Sequence, residues 1–93
     1  MIRSFRDREA AGIFAREASR RLPPDVQKSA CRKMMMLDAA TSLMDLRVPW
    51  GNRLEPLHGD REGQYSIRIN DRWRMCFRWE VGNAFAVEIV DYH

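Results

Sequence analysis

The stretch Trp73-Arg74-Met75-Cys76-Phe77-Arg78-Trp79 constrains this chain more than any other. Successive side chains of an extended strand point to opposite faces. Trp73, Met75, Phe77 and Trp79 therefore share one face, and Arg74, Cys76 and Arg78 the other. An aromatic face must be covered by a core. An arginine-bearing face is left to meet water or a partner.

The preceding chain supplies the cover. Met1–Phe5 reads as a brief first strand. Asp7 is placed to cap a helix over Arg8–Arg20 with Ala10, Ile13, Phe14 and Ala18 on one side, which Pro23-Pro24 must end. Asp25 is placed to cap a second helix, whose Val26, Ala30, Met34 and Leu37 recur at helical spacing, opposite a solvated basic face of Lys28, Arg32 and Lys33. Met34-Met35-Met36 reads as adaptable filler with one methionine outward. A short third helix is expected from Ser42 to Leu46, capped by Thr41 or Asp38.

Beyond the loop Arg47–Asn52 the period changes. Pro56 demotes Arg53–Leu57 to an edge strand, and His58–Gly63 is a polar turn. Gln64–Ile69 alternates, with Tyr65, Ile67 and Ile69 inward. Asn70-Asp71 turns into Trp73–Trp79, and a last strand over Ala84–Val90 puts Phe85, Val87 and Ile89 on one parity. The expected fold is α+β: one domain over residues 1–93, with two to three N-terminal helices packed on one face of a mainly antiparallel sheet. Phe85 is expected to join the aromatic core face.

Composition narrows the function. No run approaches the ~18 apolar residues that span a bilayer, and the N-terminus lacks a signal-peptide profile, so a soluble, cytoplasmic chain with no membrane partner is expected. Cys31 and Cys76 lack zinc-ligand spacing and read as free thiols filling apolar space, so neither metal nor cofactor is expected. The net charge of +3 permits a nucleic-acid partner. All six bases of residues 53–93 are arginines, whose planar forks suit phosphate.

Four features could carry chemistry. Arg68, Arg74 and Arg78 on the non-core face, with Arg72 beside them, form either a phosphate clamp or a wet face salt-bridged to Glu88. Asp91-Tyr92-His93 places an acid, a phenol and an imidazole directly after an apolar strand. Glu55 and His58 flank the edge strand as a second proton-transfer pair. Trp50 and Tyr65 could stack an unpaired base, although Tyr65 has core parity. Together these suffice for metal-free RNA cleavage by 2′-OH attack.

The run Leu57-His58-Gly59-Asp60-Arg61-Glu62-Gly63-Gln64-Tyr65-Ser66-Ile67-Arg68, with Arg72-Trp73-Arg74 and the terminal Asp91-Tyr92-His93, resembles the HigB/GraT branch of the RelE/ParE toxin superfamily. The resemblance covers essentially the whole chain. It implies a RelE-like domain that cuts translated mRNA in the ribosomal A site without a metal. It also implies neutralisation by a HigA-type helix-turn-helix antitoxin, and contact with operator DNA only through that complex. A non-nucleolytic growth inhibitor, acting on gyrase or on ribosome maturation, is the alternative. By position, Arg74 matches the family's phosphate-binding arginine, and Asp91, Tyr92 and His93 its terminal site residues. The chain departs from the pattern at Glu55, where some HigB toxins carry a catalytic histidine, and at His58, where they carry lysine. Glu55, His58 and His93 thus all stand as candidates for the general base.

Overall fold

The computed structural model describes residues 1–48 and 50–92, and at Trp50 the backbone alone. The roles expected of His93 and of the Trp50 indole lie outside the described residues.

Helix α1 spans Arg8–Phe14, and Asp7 caps it through Oδ1, which accepts from the Ala10 N–H at 2.8 Å. It stops well short of the expected Arg20. Arg16 adopts a left-handed φ of 66°, and the Glu17 N–H closes onto the Gly12 carbonyl at 2.8 Å. The residues that follow are held by side chains instead of a helical ladder. Ser19 Oγ accepts from the backbone N–H groups of Arg21 and Leu22, while the Gln27 amide bonds Ser19 and the Leu22 carbonyl. Local helix propensity loses to these bonds.

Helix α2 spans Pro24–Ala39. Its first residue is a proline, whose missing N–H costs nothing there. Asp25 lies inside the first turn, so its expected capping role is corrected: Pro23 occupies the cap position. Val26, Ala30, Met34 and Leu37 are buried along one stripe, and Met35 alone of the three methionines is exposed. Lys33 leaves the expected solvated face. Its ammonium donates to the side-chain oxygen of fully buried Asn52, and burial first, then Arg32 and Arg68, lowers its pKa. The third helix is a single 3₁₀ turn, Leu43–Leu46, preceded by Ser42. The Asp45 carboxylate accepts from the N–H groups of Thr41 and Ser42, whereas Asp38 instead receives the Ile2 N–H.

The four strands β1 (Glu55–Pro56), β2 (Gln64–Arg68), β3 (Trp73–Glu80) and β4 (Asn83–Asp91) form an antiparallel sheet in sequence order. Met1–Phe5 lies parallel to β4 through bridges Ile2–Ala84 and Phe5–Val87. The helices cover one face, where Ile67, Met75, Phe77, Val87 and Ile89 meet Met34, Leu37 and Leu46. Each large side chain so buried contributes about 1.5–3 kcal/mol. Tyr65 stacks on Phe77 with ring centroids 6.4 Å apart, as its core parity requires.

One expected core residue is misplaced. The register slips between Cys76 and Arg78, so that Cys76 faces Glu88 but Arg78 faces Phe85, and Ala86 takes a φ of 54°. This bulge inserts one residue into β4 and inverts the parity above it. Phe85 therefore leaves the core face and lies beneath the Arg78 guanidinium, 5.7 Å from ring centroid to Cζ. Ala84 fills the core in its place, while Val87 and Ile89 keep their core positions.

Candidate active site

The sheet face turned away from the helices is built from strand register. Residues directly opposite in an antiparallel pair share a face. Glu55, Ser66, Cys76 and Glu88 thus form one row across β1, β2, β3 and β4. Arg68 and Arg74 are paired in the next row but one, with Val90 beyond. Two arginines directly across a strand pair repel each other, and such an arrangement suits an anion placed between them.

Arg74 is fixed by neutral oxygens. Its Nε donates to Ser66 Oγ at 2.9 Å and its Nη2 to the Arg53 carbonyl at 2.7 Å. Arg53 takes a positive φ of 43°, in the turn that brings its carbonyl to this contact. The Arg74 guanidinium also lies over the Tyr92 ring, 5.8 Å from Cζ to centroid. A shallow cavity of about 310 Å³ opens here, lined by Arg53, Glu55, Arg68, Asn70, Asp71, Arg74 and Tyr92. Arg68 carries one carboxylate partner, Asp71, whose acid it holds below the usual carboxylate range. Burial, and then the nearby Cys76 thiol, push the Tyr92 phenol above its ordinary value. At neutral pH Tyr92 is therefore a protonated donor and not a base.

Glu55, Arg68, Arg74 and Tyr92 are thus brought together, and the other candidates are not. Arg72 donates from Nε and Nη2 to the Asp91 carboxylate at 2.8–3.1 Å and lies over Trp73, at the sheet's end beside Arg21. Arg78 is roughly 13 Å along β3 from Arg74 at strand rise, paired with Glu80 and Phe85. His58 is exposed at the start of the 3₁₀ turn Gly59–Arg61 and does not line the cavity. The expected salt-bridged face with Glu88 is corrected in its partner: Glu88 is held by Arg61 at 2.9 Å and by Arg6 at 3.7 Å, not by Arg68, Arg74 or Arg78. The hydrogen bond to Glu88 raises the Arg61 pKa.

Ser66, Cys76 and Arg61 went unnoticed as site residues. Ser66 and Cys76 carried a signal, since small polar side chains of outward parity next to arginines are natural supports. Cys76 is buried, but among polar groups, which corrects its reading as apolar filler. Among the described residues, no group of three or more His, Cys, Asp or Glu side chains is placed to hold a metal ion. No helix among them is long and apolar enough to cross a membrane.

A sequence model described as "RelE-like toxin of type II toxin-antitoxin system HigB" matches residues 3–93. The chain belongs to the HigB-like toxin family. Two curated relatives agree. Toxin HigB-1 of Vibrio cholerae serotype O1 is 38% identical over 85 residues, covering 90% of each chain. Endoribonuclease HigB of Proteus vulgaris is 30% identical over 93 residues, spanning both chains in full. An uncharacterized protein of Haemophilus influenzae is 35% identical over 60 residues, 64% of this chain and 59% of that one. The helix-backed antiparallel sheet is the layout expected of a RelE-like domain, and membership of a type II system implies an antitoxin partner.

Proposed function

We propose that this HigB-like chain is a metal-independent endoribonuclease that cuts mRNA on the ribosome in the cytoplasm. A HigA-type helix-turn-helix antitoxin neutralises it, and operator DNA is reached only through that complex. The observation that carries the reading is the cavity in which Arg74, secured by neutral oxygens, faces Arg68, Glu55 and the Tyr92 phenol.

In this reading the scissile phosphate sits between the Arg68 and Arg74 guanidinium groups. Glu55 removes the proton from the ribose 2′-OH, and the resulting oxyanion attacks the adjacent phosphorus. The P–O2′ bond forms as the P–O5′ bond breaks, giving a 2′,3′-cyclic phosphate and a 5′-hydroxyl that leaves with a donated proton. The arginines stabilise the charge that builds on the phosphorane, and the protonated Tyr92 phenol offers a further hydrogen bond. DNA, without a 2′-OH, is inert to this chemistry.

The test is expression in growing cells with mapping of transcript 5′ ends. Cleavage inside translated frames is expected, with Glu55→Gln slowing it about 10²–10⁴-fold, the usual contribution of a positioned base. A Glu55→Gln protein that cuts as fast as its parent would move the base to His93. Intact mRNA accompanied by DNA breaks or stalled ribosomal particles would replace the proposal with a non-nucleolytic growth inhibitor.

A further inference from the structure

Beyond Cys76 and Glu88 the uncovered sheet face continues to a row of Gln64, Arg78 and Phe85, opposite one another across β2, β3 and β4. Phe77 belongs to the core, and Phe5 and Phe14 pack against it. Phe85 instead lies half-buried on the face that no helix covers. The backbone is built to hold it there. The bulge that turns it outward requires Ala86 to adopt a φ of 54°, which the alanine Cβ disfavours. The Ala86 N–H is met by Ser4 Oγ at 2.8 Å. On either side the Ala84 N–H donates to the Met1 carbonyl and the Val87 N–H to the Ser4 carbonyl, so the first segment fastens β4 around the bulge. Bulges re-aim side chains and are frequent beside active sites. This one aims an aromatic ring at an arginine.

We propose that Phe85 and Arg78 form a stacking platform for an unpaired RNA base, a few nucleotides from the phosphate held by Arg74. The platform extends the cleavage reading above and rests on it for the ligand. Arg78 Cζ lies 5.7 Å from the Phe85 ring centroid. Aromatic rings and guanidinium planes are the two surfaces on which splayed bases stack. Arg78 is lightly held, with Glu80 Oε2 3.6 Å away and both side chains at least half exposed. Such a pair contributes little, so the guanidinium is available to RNA. At strand rise Arg78 is roughly 13 Å from Arg74. A strand stacked at ~3.4 Å per nucleotide covers that distance in about four steps, and a splayed one in fewer. Between the two positions Arg61 and Arg6 set two guanidinium groups against the one Glu88 carboxylate, so the path stays cationic.

The probe is a single-stranded RNA of about eight nucleotides, within the usual span of one single-strand-binding domain. It is 2′-O-methylated throughout, so that no 2′-OH can attack. Fluorescence anisotropy reads its binding to the purified protein, with a dinucleotide, too short to reach from Arg74 to Phe85, as competitor. Phe85→Leu keeps the apolar bulk and loses the ring. It is expected to weaken the longer RNA about tenfold, in keeping with the loss of one stacked base, and to leave the dinucleotide unchanged. Phe85→Tyr keeps the ring and should hold the parent's affinity. Because the ring touches no phosphate, Phe85→Leu should also leave the slope of log affinity against log salt as it is, whereas Arg78→Ala reduces it by up to ~1. A Phe85→Leu protein that binds the longer RNA as tightly as its parent would overturn the platform. So would an equal loss on both RNAs, a Phe85→Tyr protein as weak as Phe85→Leu, or a parent that does not bind the longer RNA. The nuclease reading fails differently: translated mRNA left uncut by a protein that binds RNA through Phe85 would end that reading and leave the platform in place.

Discussion

Arg72 and Arg74 lie two positions apart, one just before β3 and one within it, and share the same side-chain parity. The fold separates them completely. Arg72 is spent: its fork closes on the Asp91 carboxylate and its plane lies on Trp73. Arg74 is equally well ordered, but the bonds that order it end on a serine hydroxyl and a backbone carbonyl. A guanidinium fixed by neutral oxygens keeps its full charge for an incoming phosphate. One fixed by a carboxylate does not. Order alone does not make a binding site; order without neutralisation does.

Truncating each in turn is the direct way to break this comparison. Arg74→Ala is expected to slow mRNA cleavage about 10²–10³-fold, the usual cost of losing a charge-stabilising donor at a reacting centre. Arg72→Ala is expected to leave cleavage within about twofold, because exposed ion pairs contribute little. Single-turnover cleavage of a translated message measures both. Similar losses in the two variants would mean that the Asp91 contact does not remove Arg72 from the chemistry, and the contrast would fall. Arg74→Lys sharpens the point. A lysine supplies charge without the fork that reaches Ser66 and Arg53 together, so only part of the activity should return.

The same contrast shows what could be read from the chain beforehand. Alternation in Trp73–Trp79 placed the arginines on the non-core face, and helical spacing placed Val26, Ala30, Met34 and Leu37 in the core; both follow from local periodicity. Phe85 was misjudged because a bulge is a register event between two strands. Ala86 has no glycine to announce its positive φ. Helix α1 was overextended because Arg16 turns left-handed just after Phe14, and the Ser19 and Gln27 side chains then hold the chain that follows outside a helix. At the site, residue types were legible and partners were not. Nothing local says that Asp91 turns to Arg72, that Glu88 belongs to Arg61, or that His58 stays outside the cavity.

Arg61 provides a comparison of a second kind, since its carboxylate partner is buried whereas Arg72's is half-open. Arg61→Met retains the aliphatic stem but strands the Glu88 charge, with Arg6 left at 3.7 Å as a weaker partner. The expected loss of folding stability is about 1–3 kcal/mol, discounted because the guanidinium is itself about one-third exposed. Urea unfolding followed by tryptophan fluorescence would measure it. A midpoint unmoved by Arg61→Met would show that Arg6 alone is enough to hold the Glu88 side chain.

The smallest effect lies at alkaline pH, and it again divides the two regions. Burial raises the Cys76 thiol above its ordinary 9.0, and burial with the Cys76 contact raises the Tyr92 phenol above 10.0. Both groups hold their protons more tightly in the folded chain than in the unfolded one. Their contribution to stability is therefore complete below pH 9 and declines as pH rises through the ordinary values towards the raised ones. Thermal unfolding between pH 8 and pH 11 should show this decline, shallower in Cys76→Ala, which removes the first of the two titrations and relieves the second. In Arg72→Ala the slope should match that of the parent, because the hydrogen bond to Asp91 raises the Arg72 pKa, which already lies above this range, still further. An alkaline decline that Arg72→Ala flattens and Cys76→Ala leaves intact would place the titrating groups at the sheet's end and not beneath the cavity.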